Sequence, residues 1–72
     1  MVKKTMQQSI SKRLKELRIK NNLTQAELAD ALNVGQGTVS DWESGNIWPR
    51  PQHIDALAKY YKMTQRSLLF GK

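Results

Sequence analysis

The chain contains one histidine, His53, no cysteine, and six Asp and Glu in 72 residues. That inventory excludes a thiolate nucleophile, a disulfide framework and a Cys-type zinc site. One imidazole and scattered carboxylates supply neither a nucleophile with its base nor a metal set. The side chains that do crowd together are of another kind. Gln36, Thr38, Ser40 and Asp41 place an amide, two hydroxyls and a carboxylate within residues 36–41, with Gln25 a short distance upstream. Such groups hold a ligand by hydrogen bonds without making or breaking its bonds. A chain this short buries only about 60% of the surface it exposes when unfolded, which leaves a core but no scaffold for a catalytic cavity. The expectation is a non-enzyme with no cofactor, no metal and no small-molecule substrate.

Lys and Arg number 12 against 6 Asp and Glu, a formal charge of +6 that points to a polyanionic partner, nucleic acid before an anionic membrane. The charge is unevenly spread. Residues 1–20 carry Lys3, Lys4, Lys12, Arg13, Lys15, Arg18 and Lys20 against Glu16. Residues 21–49 carry Glu27, Asp30, Asp41 and Glu43 and no cation, a net −4. Residues 50–72 are basic again, with Arg50, Lys59, Lys62, Arg66 and Lys72 against Asp55. No apolar run approaches the roughly 18 residues of a membrane span, and the first residues lack the apolar stretch of a signal peptide, so a cytoplasmic location is expected.

The polar cluster must be carried by helices. Residues 1–8 show no apolar period and read as a flexible basic arm; residues 9–72 read as one domain. Ile10, Leu14 and Leu17 recur at helical spacing and predict a first helix over residues 9–20, stopped by Asn21-Asn22. Thr24 and Glu27 form a capping box, with Leu23 and Leu28 at the positions of a hydrophobic staple, opening a second helix over 25–32. Asn33 suits a left-handed end, and Gly35 can cap a third helix over 36–44, closed by Gly45. Val39 and Trp42 are its inward residues, Trp42 as a core anchor. Pro51 starts a fourth helix whose Ile54, Leu57, Ala58 and Tyr61 make one apolar stripe. Thr64 caps a fifth, ending at Gly71. The fold class is therefore all-α, five helices and no strand.

Residues 24–44 thus comprise two short helices joined by a tight turn, the layout of a helix-turn-helix. Gln25-Ala26-Glu27-Leu28-Ala29 and Val34-Gly35-Gln36-Gly37-Thr38-Val39-Ser40-Asp41-Trp42-Glu43-Ser44-Gly45 resemble the helix-turn-helix signature of the phage Cro and lambda-type repressor (XRE-like) family. The resemblance runs from Ile10 to Phe70. It implies a compact lambda-repressor-like domain that binds a double-stranded DNA operator as a transcriptional regulator within a bacterial host cell, at its nucleoid. A chain of this size is also similar to Cro proteins and to the small modulator-of-repression proteins of temperate phages in Gram-positive bacteria, which implies a place in a lysis-lysogeny switch.

Residue roles follow from the resemblance only where the residues match. Gln36 falls where the family's first base-reading residue stands, and its amide can pair bidentately with adenine. Thr38 and Ser40 fall on or beside the same face. Gln25 resembles the glutamine that bonds a backbone phosphate and braces the recognition helix. Arg18 and Glu43 match a structural ion pair. Lys3, Lys4, Arg13, Ser44, Asn46 and Arg50 are the remaining candidates for phosphate contact. Two positions depart from the family. Gly37 offers no reading side chain, and Asp41 repels phosphate and pairs well only with a cytosine amino group.

Those departures, with the acidic middle, motivate a competing expectation: an antirepressor that acts by complex formation with a phage repressor through Glu27, Asp30, Asp41, Ile47 and Trp48. Trp48 admits two readings, an exposed anchor for a partner or a loop residue folded back on the core. Tyr60 and Phe70 are candidates for a homodimer seam. His53 is expected to be solvated, and the lysines of the first helix can equally be a solvated face.

Overall fold

The computed structural model describes residues 6–70, with side chains from residue 10 onward. Five helices follow one another: α1 (Met6–Lys20), α2 (Gln25–Leu32), α3 (Gln36–Ser44), α4 (Pro51–Tyr60) and α5 (Gln65–Phe70). No strand occurs among the described residues. The expected all-α, five-helix fold class is the observed one. α1 begins at Met6, so Met6, Gln7 and Gln8 belong to the helix and not to the expected arm. Met6 stands four residues before Ile10 and eight before Leu14, so it extends the same helical spacing, and glutamine is a good helix former. Lys3 and Lys4 lie outside the described residues.

Local chemistry starts and stops the helices. At α2 the Thr24 hydroxyl accepts the Glu27 N–H at 3.0 Å and the Glu27 carboxylate accepts the Thr24 N–H at 2.8 Å, completing the capping box. Each of α1 to α4 ends in the same way, with a left-handed residue that turns the chain so that the next N–H reaches back to a carbonyl of the last turn. Asn22 (φ 60°), Asn33 (φ 58°), Gly45 (φ 83°) and Lys62 (φ 57°) hold these positions. The closing bonds are Leu23 to Arg18, Val34 to Ala29, Asn46 to Asp41 and Met63 to Ala58, at 2.9 to 3.0 Å. Lys62 is the unexpected member, since a lysine has none of the tolerance that glycine or asparagine has for this geometry.

The core is a single cluster of Ile10, Leu14 and Leu17 from α1, Leu28 and Ala29 from α2, Val39 and Trp42 from α3, Ile54, Leu57 and Ala58 from α4, and Leu68 from α5. α3 lies between α1 and α2, while α5 packs on α1 and α4. The α3–α4 loop closes over this core. Pro49 is fully buried and Trp48 is half-buried against the cluster, which decides for the folded-back reading of Trp48. Ile47 beside it remains 51% exposed.

Candidate nucleic-acid interface

α3 has two faces because its residues alternate between core and surface at helical period. Val39 and Trp42 point inward and are buried. Gln36, Gly37 and Ser44 are exposed, and Thr38, Ser40 and Asp41 are half-buried at the borders of the outward face. The five sequence-chosen candidates Gln36, Gly37, Thr38, Ser40 and Asp41 are therefore grouped on one short helix, with Ser44 and the exposed Asn46 following them. Ser44 turns its hydroxyl onto the Asp41 carbonyl at 3.2 Å.

The inner flank of α3 is held by Glu43. Its carboxylate accepts Nε of Arg18 at 2.7 Å and Nη2 of Arg18 at 3.1 Å, and a third bond from the Gln25 amide at 3.2 Å. Arg18 also donates Nη1 to the Leu23 carbonyl at 2.7 Å. One guanidinium thus ties α1, the α1–α2 turn and α3, and Gln25 adds α2. The hydrogen bond to Glu43 raises the Arg18 guanidinium above its ordinary value, with burial opposing. The expected ion pair is present, and it is more than a pair. The Leu23 carbonyl was not foreseen, since nothing in a sequence marks a backbone acceptor.

Three residues have partners inside the fold, and for His53 this corrects the expectation. Arg13, chosen for phosphate contact, is partly buried and donates Nη2 to the Ser67 carbonyl of α5 at 3.3 Å. His53, expected in solvent, sets its ring against Trp42 with centroids 5.2 Å apart, and its Nδ1 is buried without a hydrogen-bond partner. It stands one residue before Ile54, at the edge of the apolar stripe, which is the signal that could have placed it. Gln25 donates one amide hydrogen to Glu43 and so braces α3, as the resemblance implied. Arg50 is exposed at the start of α4, as expected of a phosphate contact.

The acidity of residues 21–49 is partly consumed inside the fold. Glu43 is paired with Arg18, and Glu27 is bonded to the backbone of its own helix start. Asp30 is exposed and Asp41 half-buried. Tyr60 and Phe70 are 40% and 54% exposed, on α4 and α5. Among the described residues no group of His, Asp or Glu could hold a metal ion, and no helix is long and apolar enough to cross a membrane.

A braced α2, a tight turn over Asn33 to Gly35 and an α3 with one polar face outward define a helix-turn-helix domain. Residues 14–67 match the family described as helix-turn-helix, and the chain belongs to that family, in its lambda-repressor-like branch. Among curated relatives it is 36% identical over 62 residues to the HTH-type transcriptional activator BcrR of Enterococcus faecalis, covering 86% of this chain and 30% of that one. It is 33% identical over 51 residues to the cryptic phage CTXphi transcriptional repressor RstR of Vibrio cholerae, covering 71% of this chain and 46% of that one. The chain thus spans less than half the length of either relative. The P22 c2 repressor, solved in complex with a synthetic operator, superposes with a TM-score of 0.81 at 28% identity, covering 90% of this chain and 98% of that one.

Proposed function

We propose that this chain is the DNA-binding unit of a transcriptional regulator that seats α3 in the major groove of an operator. One observation carries the reading: the last turn of α3 is clamped through Glu43 by Arg18 and Gln25, while Gln36 and Gly37 at its start and Ser44 at its end stay exposed. A helix of nine residues is not stable alone, and a brace of this kind lets it present side chains at a fixed angle. Gln36 reads an adenine and Asp41 accepts from a cytosine amino group, with Thr38 and Ser40 beside them. Arg50 and Asn46 contact phosphate, joined by Lys3 and Lys4 of the N-terminal arm, and Ser44 joins them once its hydroxyl turns off the Asp41 carbonyl. Arg13 is withdrawn from that set because α5 holds it.

The regulator acts as a dimer whose seam includes Tyr60 and Phe70, on half-sites roughly 34 Å apart. Likeness to the phage repressor RstR and to the P22 c2 repressor supports a role in a phage genetic switch. Fluorescence anisotropy on a duplex from the chain's own control region at about 50 mM salt tests the reading, because phosphate-driven binding is strongest at low salt. Binding in the micromolar range or tighter, with Gln36→Ala relaxing sequence preference, supports it. No binding to any such duplex overturns it.

The exposed Ile47 beside the α3 end, with Asp41 in that helix and an exposed Asp30 on α2, favours a second reading: complex formation with the opposing repressor protein. Light scattering of the mixed proteins checks it. Separate species at micromolar concentration exclude it, and a complex weakened by Asp41→Lys supports it.

A further inference from the structure

Most of the free positive charge is placed away from α3. Arg18 is paired with Glu43 and Lys59 with Asp55, the two ion pairs among the described residues, and Arg13 is tied to the Ser67 carbonyl. Lys12, Lys15, Lys20, Lys62 and Arg66 are exposed and outside those pairs, with Glu16 the carboxylate among them. Helical period gives them a side. Ser11 and Arg18 share the flank of α1 that meets α3, at Gly45 and Glu43, whereas Arg13 stands on the opposite flank, against α5. Lys20 follows Arg13 by seven residues and lies on that α5 flank, while Lys12 and Lys15 lie on the outer side. The Tyr61 hydroxyl is close enough to Arg18 to feel its charge, which sets the α4–α5 turn, and Lys62 in it, by the last turn of α1. α5 then runs back toward Arg13, so one basic surface spans α1 and α5. Lys62 also holds a φ of 57° that asparagine or glycine adopts at less cost, and such strain marks a side chain with a use outside the fold.

We propose that this α1–α5 face holds a second stretch of double-stranded DNA by its phosphates, so that one molecule bridges two duplex segments; the bridge rests on the reading of α3 as the groove-entering helix. A duplex is the occupant that fits, because it presents a row of charges and needs neither a pocket nor an apolar anchor. Ile19, 55% exposed, is the one large apolar side chain exposed in the described part of α1, and a protein partner would want several such anchors in one patch. Four of the five cations are lysines, whose flexible ammonium meets a phosphate as a point charge and carries no sequence preference. The second segment is not the one on α3, since a straight duplex there is separated from the α5 flank by the width of α1, about 10 Å. The two faces divide the work: α3, in the acidic stretch of the chain, chooses a sequence, and the α1–α5 face takes any duplex that comes near.

Beads carrying the operator duplex, loaded with protein and offered a labelled duplex of unrelated sequence at about 50 mM salt, read the bridge directly. The comparison is wild type against one variant that combines Lys12→Gln, Lys20→Gln, Lys62→Gln and Arg66→Gln, with thermal melting to show that the variant folds. Both proteins are expected to bind the operator duplex alike. The variant is expected to capture the labelled duplex at least about tenfold less, and the salt slope of capture to fall by about three to four ions, near 0.9 for each charge removed. Equal capture by the two proteins overturns the second face and assigns the bridge to two copies of α3 in a dimer. Absence of capture by wild type overturns it as well, and binding of poly-glutamate that the variant loses then assigns the face to an acidic protein. Failure of both proteins to bind the operator overturns the reading of α3 instead; binding of the unrelated duplex in solution, compared between the two proteins, still decides the face.

Discussion

Arg18 and Glu43 meet through two parallel hydrogen bonds, at 2.7 and 3.1 Å, with side chains only 12% and 4% exposed. Glu43 stands in the last turn of α3, where the helix dipole disfavours an anion. The guanidinium reverses that penalty, so the orientation of α3 depends on a cation from α1. A planar fork matches this carboxylate as an ammonium does not.

Replacing either partner alone therefore strands a buried charge. Arg18→Met is expected to lower stability by about 3 kcal/mol or more, and Arg18→Lys by about 2 kcal/mol, since lysine keeps the charge but cannot serve both Glu43 and the Leu23 carbonyl. In the double variant Arg18→Met with Glu43→Leu, part of the loss is expected to return. Urea unfolding of these variants and of Glu43→Leu alone measures this; losses in the two single variants that simply add in the double would show that the two residues are not coupled.

Arg13 and Arg50 separate fold from binding. Arg13→Ala is expected to lower stability by about 1 kcal/mol, through the lost bond to Ser67 and the packing of its stem, with the salt slope of DNA binding unchanged. Arg50→Ala is expected to leave stability within about 0.5 kcal/mol and to flatten that slope by about one ion. Melting curves and anisotropy over a salt series read the two effects apart.

Lys62 turns the chain after α4 at φ 57°, where an L side chain crowds the following carbonyl. Lys62→Gly is expected to raise stability by about 0.5 to 1 kcal/mol, the relief of that strain less the added freedom of the unfolded chain. In a domain of this size the midpoint of thermal unfolding should rise by about 2 to 8 °C. Lys62→Ala, which keeps the strain, should give no such rise.

Tyr61 is pushed up from 10.0 to about 12, chiefly by burial, with Tyr60 and Glu43 adding and Arg18 opposing. Its hydroxyl is buried with no hydrogen-bond partner. Because the folded state holds the phenol proton more tightly than the unfolded chain does, the stability linked to Tyr61 is whole below pH 10.0 and is lost as pH rises toward about 12. Tyr61→Phe removes that part of the alkaline loss and leaves neutral stability unchanged or raised. Unfolding curves of both proteins across this range are the check, and identical alkaline behaviour would show that Tyr61 does not carry it.

Much of the fold is legible in the chain. Thr24 with Glu27, Asn33, Gly35, Gly45 and Pro51 set helix ends through bonds spanning a few residues, so they act in any context. The apolar spacing of α1, α2 and α4 names most of the core for the same reason. The polar cluster on α3 is legible too, because Val39 and Trp42 identify the inward side and leave the rest outward.

What the sequence by itself determined is thus the number and order of the helices, the helix-turn-helix and the residues on the outer face of α3. Tertiary structure alone decided where the long side chains go. Arg13 and His53 reach partners on other helices, and the choice between solvent and such a partner depends on which elements come to lie beside them. The same is true of charge. The −4 of residues 21–49 is a sum over sequence, but Glu43 is answered by Arg18 across the fold, and an anion's field is set by its nearest counter-charge in space, not along the chain.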